Sequence, residues 1–234
     1  MVIERQTVLN YRTFRTVLWE RRFMKAAIIG TLISIIVLIV TVFATEWNIV
    51  RFHNKKGMEV EIRLGIWGEW RILRNGSDES YTARWIRHFP NPPQKVRRLS
   101  SEALPHFYKA QAALIALSVL MMACNGALAV YSYYLEHRFN YKRICACFFL
   151  MTAGVLFLSI QSIVFSLDRW RPGLLQKSGF RRSYGFCTWA AWVVLGWQVF
   201  SALCFAVASR KRKGSRAATV ELEAEDRPIQ IGRT

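Results

Sequence analysis

The side chains best suited to chemistry, the cysteines and histidines, are few and dispersed in this 234-residue chain. The histidines stand singly in polar segments or near the ends of apolar runs, which favours surface positions over metal coordination: His53, His88, His106 and His137. There are no paired carboxylates placed for acid–base catalysis and no glycine-rich phosphate loop. We therefore predict that the chain is not an enzyme and needs no metal or cofactor.

Three residues lie in sequence contexts that are typical of covalent modification sites. Asn75 begins the sequence Asn-Gly-Ser, the acceptor pattern for N-glycosylation on the luminal side of a membrane. Cys145 and Cys147 follow Arg143 at the start of an apolar run, a boundary position that suits reversible palmitoylation. Plain apolar packing is the alternative for both cysteines.

Four charge-free apolar runs must position these residues, and each is long enough to cross roughly 30 Å of hydrocarbon as a helix. We predict transmembrane helices over 26–45, 110–135, 144–167 and 183–209. The segments that carry the net charge of +18 lie around them: 1–25, 46–109, 136–143, 168–182 and 210–234. A polar segment precedes the first run, so we expect a retained helix and not a cleaved signal peptide.

Basic residues predict the orientation of these helices. They concentrate in 1–25, in 136–143 and in Arg210–Lys213, which favours cytoplasmic termini. The segment 168–182 also holds five basic residues and argues the other way, whereas the Asn75 sequon in 46–109 agrees with cytoplasmic termini. We expect a multi-pass plasma-membrane protein whose basic segments contact membrane lipids and whose tail from Gly214 onward is disordered.

The segment 46–109 is too long for a simple connector and shows strand patterns. Residues 58–64 alternate apolar and polar, with 47–52, 67–73 and 81–86 as further candidate strands between turn signals. The predicted fold is therefore an all-α membrane four-helix bundle that carries a small extracellular antiparallel β-sheet. The segment 168–182 is a candidate to cover one edge of that sheet.

Few polar side chains lie inside the apolar runs. Asn125, Gln161 and Gln198 are expected to face the bundle, and no acidic or basic residue lies within any run. Ion-coupled transport depends on such charged residues, so we do not expect a transporter of that kind.

The long loop carries a recognisable motif. Trp47 follows the first helix, and Gly65-Ile66-Trp67 stands twenty residues later. Together with the four-helix layout, these residues resemble the claudin, peripheral-myelin-protein and calcium-channel-gamma superfamily, whose loop signature is a Trp, then Gly-Leu-Trp, then two disulfide-bonded cysteines. The chain departs from that signature because Trp70 stands where the first cysteine belongs, and 46–109 contains no cysteine. Aromatic burial by Trp70 is expected to offset the missing cross-link.

The resemblance implies two functions, which the sequence leaves open. The first is cell–cell contact, adhesion or a paracellular barrier, with homotypic contacts between outer sheets at cell junctions. The second is an auxiliary subunit that modulates or traffics an ion channel or receptor. Either way the partners are membrane lipids and other membrane proteins, and no nucleic acid is expected. In the resembled family both tryptophans pack the sheet onto the helix ends, so we expect structural roles for Trp47 and Trp67.

Overall fold

The computed structural model describes residues 11–54, 57–74, 81–88, 104–134, 139–165 and 179–209. Four long helices dominate these residues: α1 (Tyr11–Phe43), α2 (Leu104–Tyr134), α3 (Phe139–Val164) and α4 (Phe186–Ala208). Each contains a stretch that is long and apolar enough to cross a membrane. The chain is thus a multi-pass membrane protein with four helices of this kind among its described residues.

Helix α1 begins well before the apolar run that predicted it. The basic stretch before residue 26 is helical from Tyr11 and is continuous with the apolar part of α1. No glycine or proline interrupts the chain between Tyr11 and Ile29, so nothing local ends the helix. Its aromatic and basic side chains contact one another, with the Arg22 guanidinium 5.5 Å from the centre of the Trp19 ring.

The helices pack through residues that repeat every seven positions. On α2 one buried row is apolar (Tyr108, Ile115, Met122, Ala129) and the other is polar (Gln111, Ser118, Asn125, Ser132). A seven-residue repeat keeps one seam turned towards a neighbouring helix in left-handed packing. The polar row meets α3, where the Ser118 and Ser159 hydroxyls lie 3.2 Å apart and the Asn125 amide donates to Thr152. Gln198 is also buried, and Gln161 is half-buried.

A five-stranded antiparallel sheet lies at one end of the bundle, which we call the sheet end. Its strands are β1 (Asn48–His53), β2 (Glu59–Leu64), β3 (Gly68–Arg74), β4 (Tyr81–Arg87) and β5 (Arg181–Tyr184), in the order β4-β3-β2-β1-β5. The alternation in 58–64 appears as β2, whose Val60, Ile62 and Leu64 are buried with Val50 and Phe52 of β1. All four strands expected in 46–109 are present.

The fifth strand comes from the second connection and covers the free edge of β1, as the sequence suggested for 168–182. The predicted fourth helix began at residue 183, but residues 183–184 lie in β5 and α4 starts at Phe186. Gly185 separates strand from helix because a Cβ there would stand 1.9 Å from the Glu46 carbonyl oxygen. Only glycine permits this approach of the two backbones without rearrangement.

Candidate interaction surface

Trp47 is the central side chain of the contact between the sheet and the helices. It is fully buried, and its indole N–H donates to the Thr41 carbonyl at 2.9 Å. That carbonyl belongs to the last turn of α1, where helical partners run out, so the indole caps the helix. The Trp47 carbonyl in turn accepts from the Gly185 N–H at 3.0 Å and from the Thr188 hydroxyl at 2.6 Å.

The three residues of the Gly65-Ile66-Trp67 motif lie in different surroundings. Gly65 lies against another backbone segment, Ile66 is buried, and Trp67 is partly exposed. A Cβ on Gly65 would stand 2.9 Å from Thr45 Cα, so the loop passes directly against the end of α1. Ile66 is buried in the same apolar cluster as Trp47. Trp67 is 39% exposed, so the expected structural role fits Trp47 more closely than Trp67.

A further hydrogen bond ties the sheet to a different helix. The Asn48 side-chain amide, buried on β1, donates to the Ile163 carbonyl in the last turn of α3 at 3.0 Å. The Arg182 guanidinium of β5 donates to the neighbouring Val164 carbonyl. Trp47 thus caps α1, and these two sheet side chains cap α3, so the sheet takes a fixed position on the bundle.

His88 contradicts the prediction that the histidines are surface residues. It is buried just after β4, and its ring stacks on Tyr108 of α2 at 4.0 Å between ring centres. Its Nε2 lies 3.4 Å from the buried Glu69 carboxylate, which also accepts from Arg71 at 2.7 Å. Sequence reasoning missed this group because its members come from separate elements. By contrast, His53 and His106 are exposed, and His137 lies outside the described residues.

The side of the sheet opposite the buried Val50 and Ile62 we call the outer face. Glu61 lies on it yet is buried, because Arg51 and Arg63 cover its carboxylate at 3.1 and 2.8 Å. Burial alone would raise the pKa of Glu61, but the hydrogen bond from Arg63 and the charges of both arginines outweigh it, so the pKa lies below its ordinary value. The reciprocal interaction raises the pKa of Arg63.

Two tryptophans face each other on the outer face. Trp70 and Trp85 are cross-strand partners in β3 and β4, with ring centres 5.3 Å apart. Trp70 remains 38% exposed, so it does not fill a buried space in place of a disulfide. It instead joins β3 to β4 through an aromatic pair and leaves part of both rings on the surface.

The candidate modification sites fall in different surroundings. Asn75 lies outside the described residues. Cys145 is buried among the helices, whereas Cys147 is exposed on the side of α3, so Cys147 has the accessible thiol of the pair. No group of three or more metal-binding side chains occurs among the residues that the structure describes.

A groove on the side of the bundle lies between α1 and α2, with a volume of about 760 Å³. It is lined by Leu32, Ile35, Ala123, Gly126, Ala127, Val130, Tyr131 and Tyr134. No atom lies within 4 Å of the position that a Cβ on Gly126 would take, so the chain's own packing does not require glycine there.

Comparisons with known proteins give no family assignment: no protein-family model matches the chain, and no curated protein matches it significantly.

Proposed function

We propose that this chain is a claudin-like four-pass plasma-membrane protein that acts in cell–cell contact, adhesion or a paracellular barrier through its sheet. One observation carries the proposal: the sheet is fixed to the helix ends through Trp47 and Asn48, while Trp67, Trp70 and Trp85 leave ring surface at its exterior. Exposed aromatic rings on a fixed frame suit protein contact, because such residues bury large area at low entropic cost.

The proposed orientation puts the sheet outside the cell and both termini in the cytoplasm. The basic segments at the other end of the bundle support this, as does the sequon at Asn75. A glycosidase-sensitive gel shift that disappears in Asn75→Gln is the expected result. Glycan attached to a variant with a sequon engineered into 136–143 would reverse the orientation.

We propose action by binding and not by catalysis. The buried carboxylates Glu61 and Glu69 are each held by arginine side chains in ion pairs, which gives them a structural role in the sheet.

The groove between α1 and α2 favours the second candidate, an auxiliary subunit beside an ion channel or receptor. Small residues such as Ala123, Gly126 and Ala127 allow the backbone of a partner helix to come close in a membrane. The auxiliary role thus uses the side of the bundle, whereas the contact role uses the sheet.

A mixed-cell experiment separates the two roles. Cells that lack junction proteins express the wild type, the outer-face variant Trp70→Ala/Trp85→Ala, or the groove variant Gly126→Leu. The contact role predicts enrichment at boundaries only where both neighbours express the protein, loss of enrichment in the outer-face variant, and retention in the groove variant.

The auxiliary role predicts a diffuse protein that co-purifies with a large channel or receptor and loses this partner in Gly126→Leu alone. Enrichment that survives the outer-face variant would contradict contact through the sheet. Surface labelling of all three proteins controls for delivery to the membrane.

A further inference from the structure

The outer face carries more positive than negative side chains. Arg51, Arg63, Arg74, Arg87 and Arg181 project from it by strand register, against the carboxylates of Glu59 and Glu61. These arginines extend from β5 across to β4, four strand spacings or about 19 Å. The whole of 46–109 shows the same imbalance, with twelve basic and seven acidic residues.

The sheet's own acids do not balance this charge. Glu61 is held by Arg51 and Arg63, and Glu46 also binds Arg63 at 2.7 Å. Within the described part of the chain, no carboxylate lies within ion-pair distance of Arg74 or Arg87, and both arginines are exposed. Exposed guanidinium groups in this setting attract anions.

One pair of arginines on the outer face stands at directly opposed positions, Arg51 on β1 and Arg181 on β5. Like charges at directly opposed positions destabilise a sheet. Glu61 offsets the charge of Arg51 but not that of the exposed Arg181, so a bound anion would relieve the repulsion that remains.

The tryptophan pair limits which anionic ligands would match the outer face. Trp70 and Trp85 lie between Arg74 and Arg87 along the two strands, so aromatic rings stand between cationic groups. An extended chain with anionic groups at intervals and apolar ring faces between them matches this order. Sugar rings can stack on the indoles while sulfate groups accept from the guanidinium forks.

We propose that the outer face binds a sulfated polysaccharide of the glycosaminoglycan class. The inference rests on the proposed function, because it requires the sheet to lie outside the cell. It deepens that function by assigning a matrix or cell-surface glycan as the partner of the outer face.

The test uses the purified full-length protein in neutral-lipid nanodiscs and immobilised heparin as the probe. Arg74→Gln/Arg87→Gln should weaken binding about 100-fold, roughly tenfold for each charged hydrogen-bonding group lost. Trp70→Ala/Trp85→Ala should weaken it about tenfold, and higher salt should weaken binding of the wild type. The charge-matched control, Arg22→Gln/Arg143→Gln at the opposite end of the bundle, should bind as the wild type does.

Three results would overturn the inference: equal binding by desulfated heparin, equal loss in the control variant, or polyglutamate competing as well as heparin. The last result would assign the face to an acidic protein segment. Unchanged elution from a size-exclusion column shows that each variant is folded. Heparin binding without enrichment at cell contacts would refute the contact function but keep the glycan site, and the reverse result would refute only the glycan site.

Discussion

Replacement of Trp47 by phenylalanine tests whether the indole caps α1 and thereby holds the sheet in place. The change keeps an aromatic ring in the apolar cluster but removes the donor to the Thr41 carbonyl. A buried acceptor left without a partner costs about 1–3 kcal/mol. Trp47→Ala also removes the ring and should cost about 3–5 kcal/mol, as large-to-small core substitutions do.

Thermal unfolding of the detergent-solubilised protein, followed by loss of the monodisperse size-exclusion peak, measures these costs. For a chain of this size, 1 kcal/mol corresponds to roughly 2–4 °C in the midpoint. We therefore expect Trp47→Phe to lower the midpoint by about 5 °C and Trp47→Ala by about 10 °C or more. Trp67→Phe is the matched control: its ring is 39% exposed, and a change there should shift the midpoint by less than about 2 °C.

The hydrogen bond can be separated from the loss of volume by indole N–H exchange in the wild type. The Trp47 proton should exchange far more slowly than that of the 38% exposed Trp70, because it is buried and bonded to a helix carbonyl. Equal melting of Trp47→Phe and Trp67→Phe, or equal exchange of the two protons, would refute the capping role.

Three further substitutions test the sheet and the bundle. Because the folded-state pKa of Glu61 lies below its ordinary value, its stabilising effect is present above the ordinary pKa of about 4.3 and is lost as pH falls through the lowered pKa. Midpoints of the wild type and Glu61→Gln should therefore converge in acid, and a constant gap would contradict this. Gly185→Ala should abolish the native size-exclusion peak because its Cβ would stand 1.9 Å from the Glu46 carbonyl oxygen. Gly154→Ala is the control: its added Cβ would have nothing within 4 Å, so the change should be neutral or stabilise the protein by about 0.5–1 kcal/mol. Thr152→Val should lower the midpoint by a few degrees or less, since such bonds contribute about 0.6 kcal/mol in membranes, and a shift above about 10 °C would refute this.

The elements of the fold could be predicted from sequence because their signals are local. Charge-free runs gave the membrane helices, and alternation in 58–64 gave β2. The start of α1 at Tyr11 was not predicted because a helix in a polar stretch has no hydrophobic boundary to mark it. The start of α4 was predicted wrongly because the strand at residues 181–184 forms only when β1 lies beside it.

The contacts of the candidate site depended on long-range pairing and were harder to predict. His88 looked like a surface residue, but β3 and α2 bring Glu69 and Tyr108 against it. Glu61 sits at an outward position of its strand, so alternation predicts exposure, and only the neighbouring Arg51 and Arg63 bury it. Arg63, two positions further along the same strand, was the local signal for this cover.

Trp70 and Trp85 belong both to the departure from the resembled loop signature and to the proposed interaction surface. Trp70 stands where the loop signature of the resembled family has a cysteine, and it pairs across β3 and β4 with Trp85. Such an aromatic pair adds about 0.5–1.5 kcal/mol beyond burial, less than the 2–4 kcal/mol typical of a disulfide. A disulfide would give strength alone, whereas the aromatic pair both joins the edge strand and leaves ring surface for a partner.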